Sequence, residues 1–346
     1  MAVLAVSGAA CATRSADDTN TVPTAPVNPS PPETATPTLP SPSTSTTAVP
    51  TEVYPLTGLP VSDATSAARP ALVVKIDNNA KARPQTGLGV ADIVFEEIVE
   101  TQTRFAAVFH SRGSDPVGPI RSGRTQDIDL LGSFDRPLFM WSGGNDAVTA
   151  AIESSDLRSL SALESDAAEA AGFFRDPDRE KPHNLYATCS GAWSAAPPDA
   201  GAPPAQFVYR APGVAPVGAS ASMCSGEMDG LEVMWRHDAG SGSYLRWTAG
   251  KEHRDMITGQ IAAENVVVMY VEYRASAADA RSPEADTIGS GDAFVCTAGV
   301  VVEGTWRRDD RQSPVELTAA DGTPIALTPG RTWVELARAN TFSVVA

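Results

Sequence analysis

An abrupt change of composition at Tyr54 sets the limits on what this chain can fold into. Residues 12–53 consist largely of Thr, Pro, Ser and Ala with few charges, and Tyr54 is the first aromatic residue of the chain. Such a stretch cannot bury enough apolar surface to offset the entropy of ordering it. Its prolines favour extended backbone of roughly 3.1 Å per residue. Folding is therefore expected from Tyr54 onward, with 12–53 as a disordered Thr/Pro/Ser-rich stalk.

Residues 1–11, MAVLAVSGAAC, form a short apolar run ending in small residues and a cysteine. They resemble the end of a bacterial lipoprotein signal, in which the cysteine after the cleavage point carries lipid. On this reading Cys11 is the lipidation site, the protein is extracytoplasmic, and its membrane partner is reached through that lipid. No later segment is apolar enough to span a bilayer. The net charge of −16 argues against nucleic acid as a partner, because phosphate binding needs a basic surface. It disfavours direct contact between the body and anionic lipid for the same reason.

The four cysteines, Cys11, Cys189, Cys224 and Cys296, include no CxxC pair, so neither a zinc site nor a thioredoxin-like motif is supported. Cys189 and Cys224 lie in loop-like sequence and are the expected disulfide. Cys296 falls in the apolar run AFVC, where a free cysteine behaves as a small hydrophobe. The four histidines show no metal-ligand spacing, and no metal or cofactor is expected.

From Tyr54 the pattern is α+β. ALVVKID (71–77) reads as a buried strand, and ADIVFEEIVE (91–100) with TRFAAVFH (103–110) as a hairpin turning near Thr101-Gln102. A helix is expected from near Ser122, a strand at PLFMW (137–141), and a helix over 145–155 capped by Asn145. The Pro/Ala-rich stretch at 196–204 places a boundary between a mixed α/β N-terminal domain (54–195) and a mostly β C-terminal domain (196–346). Trp235, Trp247, Trp306 and Trp333 lie in the β-rich half and are expected to fill its core.

Several of these stretches carry a family resemblance: PLTGLP (55–60), ARPQTGL (82–88), ADIVFEEIVE with TRF (91–105), GPIRSGR (118–124), PHNLY (182–186), ENVVVM (264–269), EGTWRR (303–308) and GRTWVEL (330–336). In this order they resemble the YerB-like family of bacterial envelope lipoproteins. The resemblance implies an exported, usually lipidated protein made of two parts, both domains of unknown function. It supplies no reaction and no catalytic residue.

Three constellations could carry chemistry. In GPIRSGR, Arg121 and Arg124 stand three apart at an expected helix start, where free N–H groups and paired guanidinium groups favour phosphate or carboxylate. Arg83 and Arg104 could complete that pocket. The competing reading pairs the arginines internally with Glu96, Glu97 or Glu100. In the acidic strand, Glu96 and Glu100 would share a face and could act as acid and base, although four residues along a strand span roughly 13 Å. In PHN, His183 could serve as a general base with Asn184 orienting a ligand. A fourth stretch, DTIGSGDAF (286–294), mimics a sugar-kinase signature. The residues after it are β-rich rather than helical, so kinase chemistry is not supported.

The sequence therefore points to an envelope lipoprotein that binds an anionic wall component or a partner protein without catalysis, through Arg83, Arg104, Arg121, Arg124 and Asn184. Two alternatives are a hydrolase or transferase acting on a cell-wall glycan through Glu96, Glu100 or His183, and an assembly scaffold in which these charges pair with one another.

Overall fold

The buried run after Pro70 forms strand β1 (Leu72–Asp77), every residue of which is inaccessible. Its side chains alternate between two cores: Leu72, Val74 and Ile76 enter one and Val73 the other. The acidic run forms β2 (Ile93–Val99), and it turns back into β3 (Gln102–Phe109) in the register Val99↔Gln102. The turn residues are Glu100 and Thr101, one position earlier than the sequence suggests, with Glu100 at φ +20°. β1 pairs antiparallel with β3 and parallel with β4 (Leu138–Trp141), and β4 pairs parallel with β5 (Arg158–Ser161). This computed structural model describes residues 52–346, so Cys11 and all but the end of the 12–53 stalk lie outside the described residues.

The helix expected from Ser122 starts later, at Gln126, and runs to Leu130. The delay has a backbone cause. Arg121 N–H donates to the Lys75 carbonyl at 2.9 Å and Ile120 bridges Ile76, so this stretch is held extended against β1. The helix Asp146–Glu153 lies where the pattern places it, and Asn145 Oδ1 accepts the Val148 N–H at 2.9 Å as its N-cap.

The second half is mostly β. Strands Asn265–Tyr270, Gly289–Thr297, Val300–Arg308, Glu316–Ala319 and Thr332–Ala337, with the short Ala219–Ser220 paired to Val300–Arg308, join β1–β5 in an 11-stranded sheet. Thr332–Ala337 is the seam. It lies parallel to Asn265–Tyr270 on one side and to β2 on the other, with Val94 opposite Trp333 and Glu96 opposite Glu335. A second sheet contains Met223–Met228, Leu231–Asp238, Ser243–Thr248 and Phe342–Val345. It packs against one face of the large sheet, bringing Trp235 and Tyr244 into the same core as Val266, Val268 and Phe294. The fold is thus a mixed α/β N-terminal part followed by a mostly β part. Trp235, Trp306 and Trp333 are core residues, whereas Trp247 is half-buried. GSGDAF continues as strand Gly289–Thr297 and leads into no helix.

The disulfide differs from expectation. Cys224 is bonded to Cys296, and Cys189 is a buried free thiol. Cys224 belongs to the second sheet and Cys296 to the large one, and both face the core between them. An apolar strand that forms one wall of a sandwich can thus supply a bridging cysteine. Cys189 instead opens the short helix Cys189–Ser194, where burial pushes its thiol up to about 12. Among the described residues, no helix is long and apolar enough to cross a membrane.

Candidate anion-binding site

The site is built where β1 ends. Asp77 is fully buried, and its carboxylate is held on every side. Oδ1 accepts the Asn79 N–H at 3.0 Å. Oδ2 lies 2.6 Å from His183 Nδ1. Arg121 Nε stands 3.2 Å from the same Oδ2, close enough for an ion pair although its N–H is not aligned for a hydrogen bond.

Two loops deliver these partners. Residues 117–121 run alongside the end of β1, with Asp77 N–H donating to the Pro119 carbonyl at 2.9 Å and Ser142 N–H to the Arg121 carbonyl at 3.0 Å. Gly118 is required there. Its φ is +150°, and a Cβ would lie 2.8 Å from both the Leu185 carbonyl and the Tyr186 ring. The loop carrying His183 is anchored by Arg179, which donates to the Ala82 and Pro84 carbonyls at 2.9 and 2.6 Å. Asn184 serves this anchoring as well. Its Oδ1 accepts from Arg175 at 2.8 Å and its Nδ2 donates to the Asp176 carbonyl at 3.2 Å, so its amide is engaged within the loop rather than turned toward a ligand.

The outer atoms of the cluster remain open. The His183 side chain is 11% exposed and that of Arg121 is 21% exposed. Among the described residues, His183 Nε2 and both terminal nitrogens of Arg121 have no protein partner, and none of the three is sealed from solvent. One buried carboxylate oxygen therefore orients an imidazole and a guanidinium whose free edges reach solvent. Such an arrangement can bind phosphate or carboxylate through charge-assisted hydrogen bonds.

The other expected arginines do not join it. Arg124 donates through Nε to Glu100 at 3.0 Å and to Ser282 at 3.1 Å. Arg104 is nearly inaccessible, donates to the Ser122 carbonyl at 3.0 Å and lies 3.8 Å from Glu100. Burial, followed by the neighbouring Arg124 charge, pushes the Arg104 guanidinium down to about 10. Arg83 binds Asn78 through two nitrogens, each at 3.0 Å, and faces a separate cleft. Arg104, Arg124 and Glu100 thus form an internal charge cluster.

The acidic strand offers no exposed acid–base pair. Glu96 is inaccessible, accepts from Thr103 at 2.6 Å and Asn78 at 3.1 Å, and is ion-paired with Arg246. Glu100 has left the strand in the turn. Glu97 points to the opposite core, where Lys75 bridges it to Asp127.

Sequence reasoning missed Asp77, although three polar residues, Asp77-Asn78-Asn79, ending an otherwise buried strand were a visible signal. It also missed Arg246, which reaches from the second sheet to Glu96 and to Glu335, the latter at 2.8 Å. Nothing in the local pattern WRHDAGSGSYLRWT marks that arginine as buried.

The Asp77–Arg121–His183 cluster lies wholly within residues 56–201, which match the family model described as "Protein of unknown function (DUF3048) N-terminal domain". Residues 226–334 match the corresponding C-terminal domain model. The chain belongs to this two-part, YerB-like family. It is similar to the Bacillus subtilis (strain 168) protein named "Putative lipoprotein YerB", at 28% identity over 292 residues covering 82% of this chain and 85% of that protein. The crystal structure of the Bacillus subtilis YerB protein has the same fold, with a TM-score of 0.72 and 24% identity over 85% of this chain and 100% of that one. The YerB-like N-terminal part therefore contains the open cluster. The C-terminal part supplies the buried Arg246 that pairs with Glu96 of the N-terminal part.

Proposed function

We propose that the protein is a membrane-tethered, extracytoplasmic binding protein that holds an anionic group of a wall component or partner protein between Arg121 and His183. The observation that carries this reading is the shared Asp77 oxygen, which fixes both side chains while leaving His183 Nε2 and the Arg121 terminal nitrogens without a partner among the described residues. Preorganised donors lower the ordering cost of binding. The tether rests on Cys11, on the Thr/Pro/Ser-rich stretch after it, and on the lipoprotein name of the Bacillus subtilis relative. With Arg104 and Arg124 paired to Glu100, the proposed contact area narrows to this one corner.

The test is thermal unfolding of the full chain against rising inorganic phosphate, sulfate and phosphorylated sugars. A ligand at about 100 times its Kd stabilises the folded state by about 2.7 kcal/mol. A saturable rise in Tm is expected, and it should disappear in Arg121→Ala, each protein's shift being taken from its own ligand-free Tm, because the variant leaves the buried Asp77 without its cation. Equal shifts in parent and variant would refute the site.

A second reading is favoured by the Asp77–His183 contact at 2.6 Å, which sets an imidazole with Nε2 outward as a general base for a hydrolase or transferase. In that case Asp77→Asn abolishes turnover of the bound ligand while binding persists. If the ligand is not turned over by the parent protein, this second reading falls and the binding reading stands.

A further inference from the structure

On the other side of Asn78 lies a cleft of about 790 Å³, within the range of small-molecule sites. One wall is Arg83 and Pro84, and the other comes from the second-half segments around Lys251 and the hairpin 254–260. Arg83 reaches into this space from a fixed seat. Its Nε and Nη2 are bound to Asn78, whereas Nη1 has no partner among the described residues and is not sealed from solvent. Burial already works against its charge, so an anion at Nη1 would relieve a standing cost.

The opposite wall carries two exposed apolar side chains, Met256 at 64% and Ile257 at 55%. They sit on a hairpin tip whose backbone is pinned. Met256 N–H donates to the Gln85 carbonyl at 2.8 Å, and Asp255 Oδ1 accepts the Ile257 N–H at 2.9 Å. The tip is therefore fixed beside the cleft by one contact with the first half and one within the hairpin itself. Three exposed charges line the rim: Glu252 is paired with Arg254 at 2.9 Å, which leaves Lys251 as an unbalanced positive charge in a chain of net charge −16. The combination of one half-buried, half-engaged guanidinium, a net cationic rim and an apolar lip selects for a particular chemistry.

We propose that this cleft binds an amphipathic anion, with its carboxylate or phosphate head on Arg83 Nη1 and its aliphatic body along Pro84, Met256 and Ile257. The proposal does not depend on the Arg121–His183 site. It is tested by isothermal titration of the full chain with dodecanoate, dodecyl phosphate and lysophosphatidylglycerol below their micelle concentrations, with acetate and dodecanol as head-only and tail-only controls. Saturable one-site binding is expected for at least one of the three amphiphiles, and the tightest of them tells whether the head comes from a free fatty anion or a lipid. Acetate and dodecanol should bind at least tenfold more weakly. Arg83→Gln and the double variant Met256→Ser/Ile257→Ser should each weaken binding at least tenfold. The double variant alters only exposed side chains, so it decides the matter even where Arg83→Gln disturbs Asn78. Absence of binding by all three amphiphiles, or affinity unchanged in the double variant, would overturn the proposal.

Discussion

Glu335 shows how a single buried carboxyl sets the response of this fold to pH. It lies at the seam, accepts from Arg246 at 2.8 Å and from Trp235 Nε1 at 2.9 Å, and has one oxygen without a partner among the described residues. Burial, then the Glu96 carboxylate, pushes it up to about 8, against the pull of Arg246. Glu97 is raised to about 7 by burial and by Asp127. Between the ordinary carboxyl value near 4.5 and these raised values, the folded chain holds protons that the unfolded chain has released. Stability from these groups is therefore full below about pH 4.5 and declines as pH rises toward 8. Urea midpoints measured from pH 5 to 8 should fall less steeply for Glu335→Gln than for the parent, and parallel slopes would contradict this assignment. The sequence displays the charges of ADIVFEEIVE but not their fates. Strand alternation separates Glu96 from Glu97, yet only the partners arriving from residues 75, 127, 246 and 335 decide that both are interior.

At the scale of elements, strand Ser243–Thr248 acts as a clamp. Arg246 projects from it into a box of Trp235, Trp333 and Phe105, with its guanidinium carbon 4.5 Å from the Trp333 ring centroid. From there it reaches Glu96 in β2 and Glu335 in the adjacent parallel strand. Arg246→Met keeps much of the volume but leaves two buried carboxyls without their cation. The expected loss is about 3–5 kcal/mol, read by chemical denaturation. A loss below about 1 kcal/mol would mean that the box, not the charge, holds the sheets together. Elements specified by local signals are legible in the sequence. β1, the β2–β3 hairpin and the helix capped by Asn145 arise from apolar runs, alternation and a side-chain cap. The helix after GPIRSGR begins later than its local pattern implies because a tertiary contact, Arg121 to the Lys75 carbonyl, keeps the preceding residues extended. That same contact places Arg121 beside Asp77, so the displaced helix start and the site have one origin.

For the whole molecule, the large sheet crosses from one family-model segment to the other, and the described residues, 52–346, form a single unit. Heat should unfold this unit in one transition, with calorimetric and van't Hoff enthalpies in agreement. Two separated transitions would show that the halves are energetically independent despite the shared sheet. The disulfide adds a second tie, because Cys224 and Cys296 join the two sheets across 72 residues of sequence. Replacing both by Ala should cost about 2–5 kcal/mol, seen as a lower Tm in the variant and in the parent under reductant. Spacing does not reveal this pairing, since it depends on which strands face each other across the core. Loop-like sequence around Cys189 is no guide either, because a bridging position needs a partner across the sandwich and Cys189 has none there.

The seam strand has a consequence for how the chain is made. β2 is synthesised early, but the neighbour that covers its edge, Thr332–Ala337, arrives only after the whole intervening second half. A growing polypeptide therefore carries a bare, apolar β edge through most of its synthesis and cannot close its main sheet ahead of time. Closure of the main sheet therefore waits for the last strands to be made, and the edge of β2 stays unpaired until Thr332–Ala337 is in place.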